Sequence, residues 1–429
     1  MEFEEWHERS FFIELKPRAE FASLFVDCPP HDKKEELKKE EDKEDSGQVN
    51  QNCSDVVRVG EHWVVLEETN DTSVDTPTSF RARIDELSLS PNSVCSPTWT
   101  DNHRLFMCKV HAEASSLPLV PKTFNRLARD VCATTELEEY VESVQGGPLM
   151  IECDECGAKL VDKKAGECCI GFLPSDGFLE TSPGGDFYCR DSCGAACDPY
   201  RHSHHRDNVD TKECHDEWKP KKDKALLAHT TTVLHRDTIE SDGIVVEDKV
   251  VRCSACTQPL GSLVKNDTSF VSLHHAVIRV FTNQSKSFLD TRFSNISQFF
   301  ALLVLAQCES QSSLKLVIRS LDKTPHVLVW LLDSYVVLTA GDLVNEKSSG
   351  HSFKPFPALK MLYKVFDATT AASDPRANGE DASVGLVDVP LGCCVKLVEC
   401  LLHSSHALPP ACRSVGQFYV GFLKIAESI

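Results

Sequence analysis

Two short cysteine pairs, Cys153-Asp154-Glu155-Cys156 and Cys253-Ser254-Ala255-Cys256, constrain the fold of this chain more than any other feature. A two-residue gap lets both thiolates of a pair reach one metal ion, with Zn–S bonds near ~2.3 Å. Gly157 follows the first pair, where a tight turn helps backbone amides face the sulfurs. The second pair sits between Val250-Val251 and Pro259-Leu260-Gly261, much like a strand followed by a turn. A compact zinc ribbon separates its pairs by roughly 15 to 20 residues, whereas here residues 157–252 intervene. The spacing therefore predicts a split site: Cys153, Cys156, Cys253 and Cys256 hold a structural zinc ion and clip two distant segments around an inserted module. A closed four-thiolate shell has no open position for substrate, so it stabilises rather than catalyses. Two readings compete with it, unrelated surface thiols and a redox pair.

The chain carries twenty cysteines in 429 residues. In a secreted chain they would suggest disulfides. In a reducing compartment, paired thiols suggest metal ligation and single ones small core residues. The opening Met1-Glu2-Phe3-Glu4-Glu5 lacks the positive leader and apolar core of a secretion signal. The most apolar run, 301–306, is far shorter than the roughly 20 residues that span a bilayer. The expectation is an intracellular protein of the cytoplasm, and of the nucleus as well, without membrane contact. A formal net charge of −20 repels phosphate backbones, which argues against direct nucleic-acid binding and for a basic protein partner. No Walker loop, GxGxxG, GxSxG or HExxH signature occurs.

Along the chain, 11–15 and 21–26 read as strands, as do 57–59 and 62–66 by composition and 80–84 with its alternation. Nearly every residue of 32–45 is Asp, Glu or Lys, so 29–54 reads as a disordered acidic insert. A short helix is expected over 137–144, closed by Gly146-Gly147. Residues 270–281 read as one strand. Ile296, Phe299, Phe300, Leu303 and Val304 recur at helical spacing after a Ser294 cap. The stretches 314–321 and 326–333 flank a hairpin turn, and 368–383 reads as a polar loop. Two helices are expected at 395–402 and 417–425. Three regions follow: a β-rich one at 1–147, a cysteine-rich one at 148–260, and a mixed one at 268–429. The fold class is α+β, with a β-rich amino-terminal half packed on a mixed α/β carboxy-terminal half and the zinc site at their junction.

Between the pairs lies a second group: Cys168, Cys169, Cys189, Cys193, Cys197, His202, His204, His205, Cys214 and His215. The Cys193-x3-Cys197 spacing permits a second zinc, and an exposed polar loop is the plainer reading.

Several of these stretches, taken together, resemble the ubiquitin-conjugating-enzyme-binding, HECT-like ubiquitin-protein ligase family. They are Cys153 to Gly157 with Phe172-Leu173-Pro174-Ser175, then Val251 to Cys256 with Leu260-Gly261, then His326 to Asp333, and finally Ala407-Leu408-Pro409 with Gln417 to Lys424. The resemblance implies a protein that binds a ubiquitin-conjugating enzyme through the segment 280–303, with Phe281, Phe299 and Phe300 as contacts, and assists ubiquitin transfer to substrate lysines. It further implies a tie to the endonuclease subunit of the pre-messenger-RNA 3′-end processing machinery, through Cys189 beside Phe187. A non-catalytic role as partner or chaperone of that metallonuclease is the alternative function. A HECT-type thioester needs an exposed, activated cysteine. Cys412, after Leu408-Pro409-Pro410-Ala411, is the candidate, with Cys189 as a second functional thiol. Cys393 and Cys394 stand at a helix start, and Cys400 reads as core. The other reading is a ligase without its own thioester, acting by holding a charged conjugating enzyme beside its substrate.

Overall fold

The computed structural model describes residues 5–29, 55–68, 78–100, 104–114, 122–131, 133–181, 220–265, 267–283, 285–345 and 352–429. They fall into two compact units, each assembled from separate stretches of chain. One comprises Met1–Leu127, Val329–Val365 and Val398–Ile429; the other comprises Ala128–Leu328 and Phe366–Leu397. A division into three consecutive regions thus does not describe the units, because strand partners are recruited from far along the chain.

In the first unit the expected strands form, as Ser10–Lys16, Phe21–Asp27, Trp63–Glu68 and Thr78–Ile84. Ser10–Lys16 lies between Phe21–Asp27 and the long strand Pro325–Asp342, antiparallel to both. It is apolar at successive positions because both of its faces are covered. Phe11, Ile13 and Leu15 join Leu24, Val64, Leu66 and Ile84 in one core. Phe12 joins Val336, Leu338 and Phe422 in another. Glu14 shares that second face and is held by Lys360 Nζ at 2.7 Å.

The segment expected as a helix at 417–425 is instead the strand Phe418–Lys424, antiparallel to Phe356–Val365. A short apolar run carries no period that separates helix from strand. Its aromatic and β-branched content, with Gly421 inside, favours the extended form once a partner strand exists.

In the second unit, Leu149–Cys153 pairs with Lys159–Lys163 and with Ile278–Phe281 in a three-stranded sheet. A seven-stranded sheet runs from Cys169–Phe172 through Lys224–Leu227, Thr231–His235, Asp267–His274, Pro259–Val264 and Val250–Cys253 to Ile244–Glu247. The helix Thr135–Ser143 forms where expected, and Leu137, Tyr140 and Val141 face the core shared with these sheets.

The single strand expected over 270–281 is broken. Asp267–His274 and Ile278–Phe281 are separate strands joined by a turn, in which the Val277 amide donates to His274 O at 3.1 Å and the Ala276 amide to His274 Nδ1 at 3.2 Å. Helix Ile296–Ser310 is capped by Asn295, whose side chain accepts from the Ser297 amide at 2.8 Å, one residue later than expected. Phe299, Phe300 and Leu303 are buried in it, whereas Ile296 is exposed. The hairpin of Lys315–Ser320 and Pro325–Asp342 forms as read. Residues 368–383 are not wholly loop: Ala368–Ser373 is a helix with an Asp367/Thr370 capping box. Helix Leu391–His406 contains the expected 395–402 stretch. Among the described residues no helix is long and apolar enough to cross a membrane. Residues 30–54 of the acidic insert lie outside the described residues.

Candidate metal centre

Each Cys-x-x-Cys pair closes a β-hairpin. The first lies between Leu149–Cys153 and Lys159–Lys163, the second between Val250–Cys253 and Pro259–Val264. The two loops have one backbone design. The Cys153 amide donates to Ala158 O and the Gly157 amide to Cys153 O, both at 2.9 Å. The Cys253 amide donates to Gln258 O and the Thr257 amide to Cys253 O, also at 2.9 Å. The residue after each second cysteine takes a left-handed conformation, φ 71° at Gly157 and 62° at Thr257.

The broken strand brings the loops together. Ile278 lies opposite Cys153, while Leu273 lies opposite Gly261 on the strand leaving the second pair. One segment, 267–281, therefore pairs with a strand from each hairpin. Gly261 fits its place because a Cβ there would stand 1.9 Å from Ser272 O. The turn also supplies an acceptor to the first loop, as Val277 O receives the Asp154 amide at 3.1 Å.

The result is a four-thiol cluster, with Cys153 Sγ 3.7 Å from Cys256 Sγ and Cys156 Sγ 3.7 Å from Cys253 Sγ. All four sulfurs lie within 4.8 Å of one another. A tetrahedral ion with Zn–S bonds of ~2.3 Å requires S···S edges of ~3.8 Å, so the donor set fits zinc. The separations are far beyond a disulfide bond of ~2.05 Å. Cys153 and Cys253 are buried, Cys156 is exposed and Cys256 is half-buried. Burial pushes the Cys153 thiol up to about 12, against amide hydrogen bonds from Cys156 and Glu155. The Ala158 amide holds Cys156 low. A buried thiolate of this kind needs a cation, and a shell of four thiolates leaves no open position for substrate.

All four cysteines belong to the second unit. The site therefore does not join an amino-terminal half to a carboxy-terminal half; it ties two hairpins within one unit. Sequence reading missed the ion pairs around it. Asp154, inside the first pair, receives Lys396 Nζ at 2.6 Å and faces Arg279 Nε at 3.6 Å, and Lys396 also donates to Ala276 O at 2.7 Å. The only local signal was the acidic pair Asp154-Glu155 within the first Cys-x-x-Cys.

The other candidate residues lie elsewhere. Cys412 ends the short turn Pro410–Cys412, half-buried, and burial raises its thiol despite the nearby Lys360. Cys393 and Cys394 are buried at the start of their helix. Burial raises both thiols, Cys394 to about 12. Cys400 is half-buried rather than core. Phe299 and Phe300 are both 0% exposed, so their rings are packing groups and not surface contacts, while Phe281 is half-buried beside Arg279. Burying rings of that size is worth about 1.5–3 kcal/mol each, which explains why the helix turns them inward. Cys189 and Phe187 lie outside the described residues, as does the second cysteine–histidine group from Cys193 to His215. Cys168 is buried and Cys169 exposed.

The chain is similar to two curated relatives, each named as an E3 ubiquitin-protein ligase. The Bos taurus protein is 25% identical over 185 residues, 41% of this chain and 47% of the relative. The Homo sapiens protein is 26% identical over 190 residues, with the same shares. The chain thus spans about half the length of the curated relatives it matches. No solved structure matches it. The sequence model of the family described as HECT-like Ubiquitin-conjugating enzyme (E2)-binding matches residues 14–420, which takes in every strand and cysteine of the centre, and the chain belongs to that family.

Proposed function

We propose that this protein promotes ubiquitin transfer to substrate lysines by holding a charged ubiquitin-conjugating enzyme in place, without forming a thioester of its own. The observation that carries this reading is the match of residues 14–420 to a family of ubiquitin-conjugating-enzyme-binding proteins. The ligase names of the Bos taurus and Homo sapiens relatives point the same way. The state of the carboxy-terminal thiols supports the mechanism. A thioester-forming cysteine is exposed and has a lowered pKa, whereas burial raises Cys393, Cys394 and Cys412. Proximity and orientation alone accelerate a transfer between two bound reactants. The zinc centre then acts as a structural clip that fixes the binding surface.

The test is a ubiquitin-transfer assay with purified chain, activating enzyme and a panel of conjugating enzymes, resolved with and without reductant. Faster discharge of the conjugating enzyme, with no reductant-sensitive ubiquitin adduct on this chain and no loss in Cys412→Ser, is the expected result. A reductant-sensitive adduct that disappears in Cys412→Ser would overturn the mechanism. No effect on any conjugating enzyme would overturn the function.

A further inference from the structure

Among the described residues, the strand Cys169–Phe172 ends the seven-stranded sheet, with Lys224–Leu227 as its neighbour. Its Cys169 amide donates to Asp223 O at 2.6 Å and the Leu173 amide to Leu227 O at 2.8 Å. Backbone groups alternate in direction along a strand, so those of Ile170 point the other way, off the edge. There the Gln145 side-chain amide donates to Ile170 O, in the place where the amide of an added strand would sit. Alongside runs a groove of about 720 Å³ between this edge and the helix Thr135–Ser143. Phe172, partly exposed, supplies apolar lining above the buried Val141 and Ile170. Glu138 and Glu142, one turn apart, line the helix side, and Lys221, Asp223 and Lys224 also border the groove.

We propose that this groove docks an extended peptide segment of a client protein, one in which an apolar residue lies between a basic and an acidic residue. The form of the ligand follows from the sheet edge, since strand ends and apolar grooves take up extended chains, with pockets reading alternate side chains. The charges follow from complementarity: the basic side chain meets Glu138 and Glu142, and the acidic one meets Lys221 and Lys224, which outnumber Asp223 beside them. A chain of net charge −20 attracts segments with basic residues from a distance as well. Assigning the segment to a ubiquitination client rests on the function proposed above; the binding itself does not.

The test pans the full chain against phage-displayed random 12-residue peptides and measures the enriched peptide by fluorescence anisotropy, with no ubiquitin enzyme present. The readout is therefore separate from the transfer assay. The expected winners carry Lys or Arg beside an apolar residue. Glu142→Arg and Cys169→Tyr, both at exposed positions on the groove, should each weaken binding about tenfold, or ~1.4 kcal/mol, with zinc content and melting temperature unchanged as the fold control. A peptide with its basic residue changed to Glu should regain affinity for Glu142→Arg, which a purely structural effect would not produce. No enrichment, or affinity indifferent to both variants, overturns the proposal. Competition of the peptide by a ubiquitin-conjugating enzyme overturns it too, because the groove would then belong to the enzyme and not to a client.

Discussion

The two cysteine hairpins share one backbone geometry but differ at a single telling position. Both place a left-handed residue directly after the second cysteine. The first uses Gly157, which reaches φ 71° without steric cost; the second uses Thr257, a β-branched residue at 62°. Thr257 recovers part of that cost through its hydroxyl, which donates to Cys256 O at 2.6 Å. The same loop can thus be reached by backbone freedom or by compensation. The pairing of both hairpins with residues 267–281 holds the second loop in a shape its own sequence does not favour.

The largest break in this symmetry is expected from the ligands. Cys153→Ser and Cys253→Ser should each reduce bound zinc to none and destabilise the second unit by at least ~4 kcal/mol, since structural zinc contributes folding energy directly. Metal analysis together with thermal melting checks this, and a variant that keeps one zinc at wild-type stability would rule out the four-thiolate centre. Next comes the shared clamp. Gly261→Ala forces a Cβ against Ser272 O and should cost about 2–4 kcal/mol, concentrated on the second hairpin. Hydrogen exchange that slows nowhere and quickens nowhere near 259–273 would contradict it.

Acid probes the turn that joins the two pairings. His274 is buried, its Nδ1 accepts the Ala276 amide, and burial depresses its pKa to about 3. The unfolded chain titrates this ring near about 6.5 and so binds more protons between those values. Stability from the neutral ring is full above about pH 6.5 and falls as pH drops toward 3, with a loss of about 2 kcal/mol by pH 5. Chemical denaturation at pH 7 and pH 5 measures the slope, and His274→Gln should make it shallower, the rest coming from the adjacent His275, whose pKa burial also depresses; an unchanged slope in that variant would assign the acid sensitivity to other groups. The smallest effects test the comparison itself. Gly157→Ala should lower stability by about 1 kcal/mol, whereas Thr257→Gly should raise it by about 0.5–1 kcal/mol. Equal signs for the two substitutions would show that the loops are not equivalent.

Much of the centre was legible in the residues. The Cys-x-x-Cys spacing named the four thiols that cluster, and Gly157 marked the turn. Strand composition placed Trp63–Glu68, alternation placed Thr78–Ile84, and the Gly146-Gly147 stop marked the end of the helix Thr135–Ser143. The errors fell where local signals are degenerate. Phe418–Lys424 has no period of its own, and its partner Phe356–Val365 lies some sixty residues earlier. The break at His274 left no Gly or Pro to announce it; the turn is held by hydrogen bonds to His274 and by His275 N donating to Thr230 O at 2.8 Å. The family resemblance implies Phe299 and Phe300 as contacts, but a resemblance over a segment does not say which of its side chains meet solvent.

By itself, then, the sequence determined the two thiol pairs of the cluster and the type of the most regular elements, because both depend on residues a few positions apart. Which hairpins meet, which stretches make up each unit, and which thiols are buried were decided only by the tertiary structure. Those properties depend on strand pairing and burial between residues about a hundred or more positions apart, such as Cys153 with Ile278 and Glu14 with Lys360. No local pattern encodes the entropy of closing such loops or the partner that offsets it.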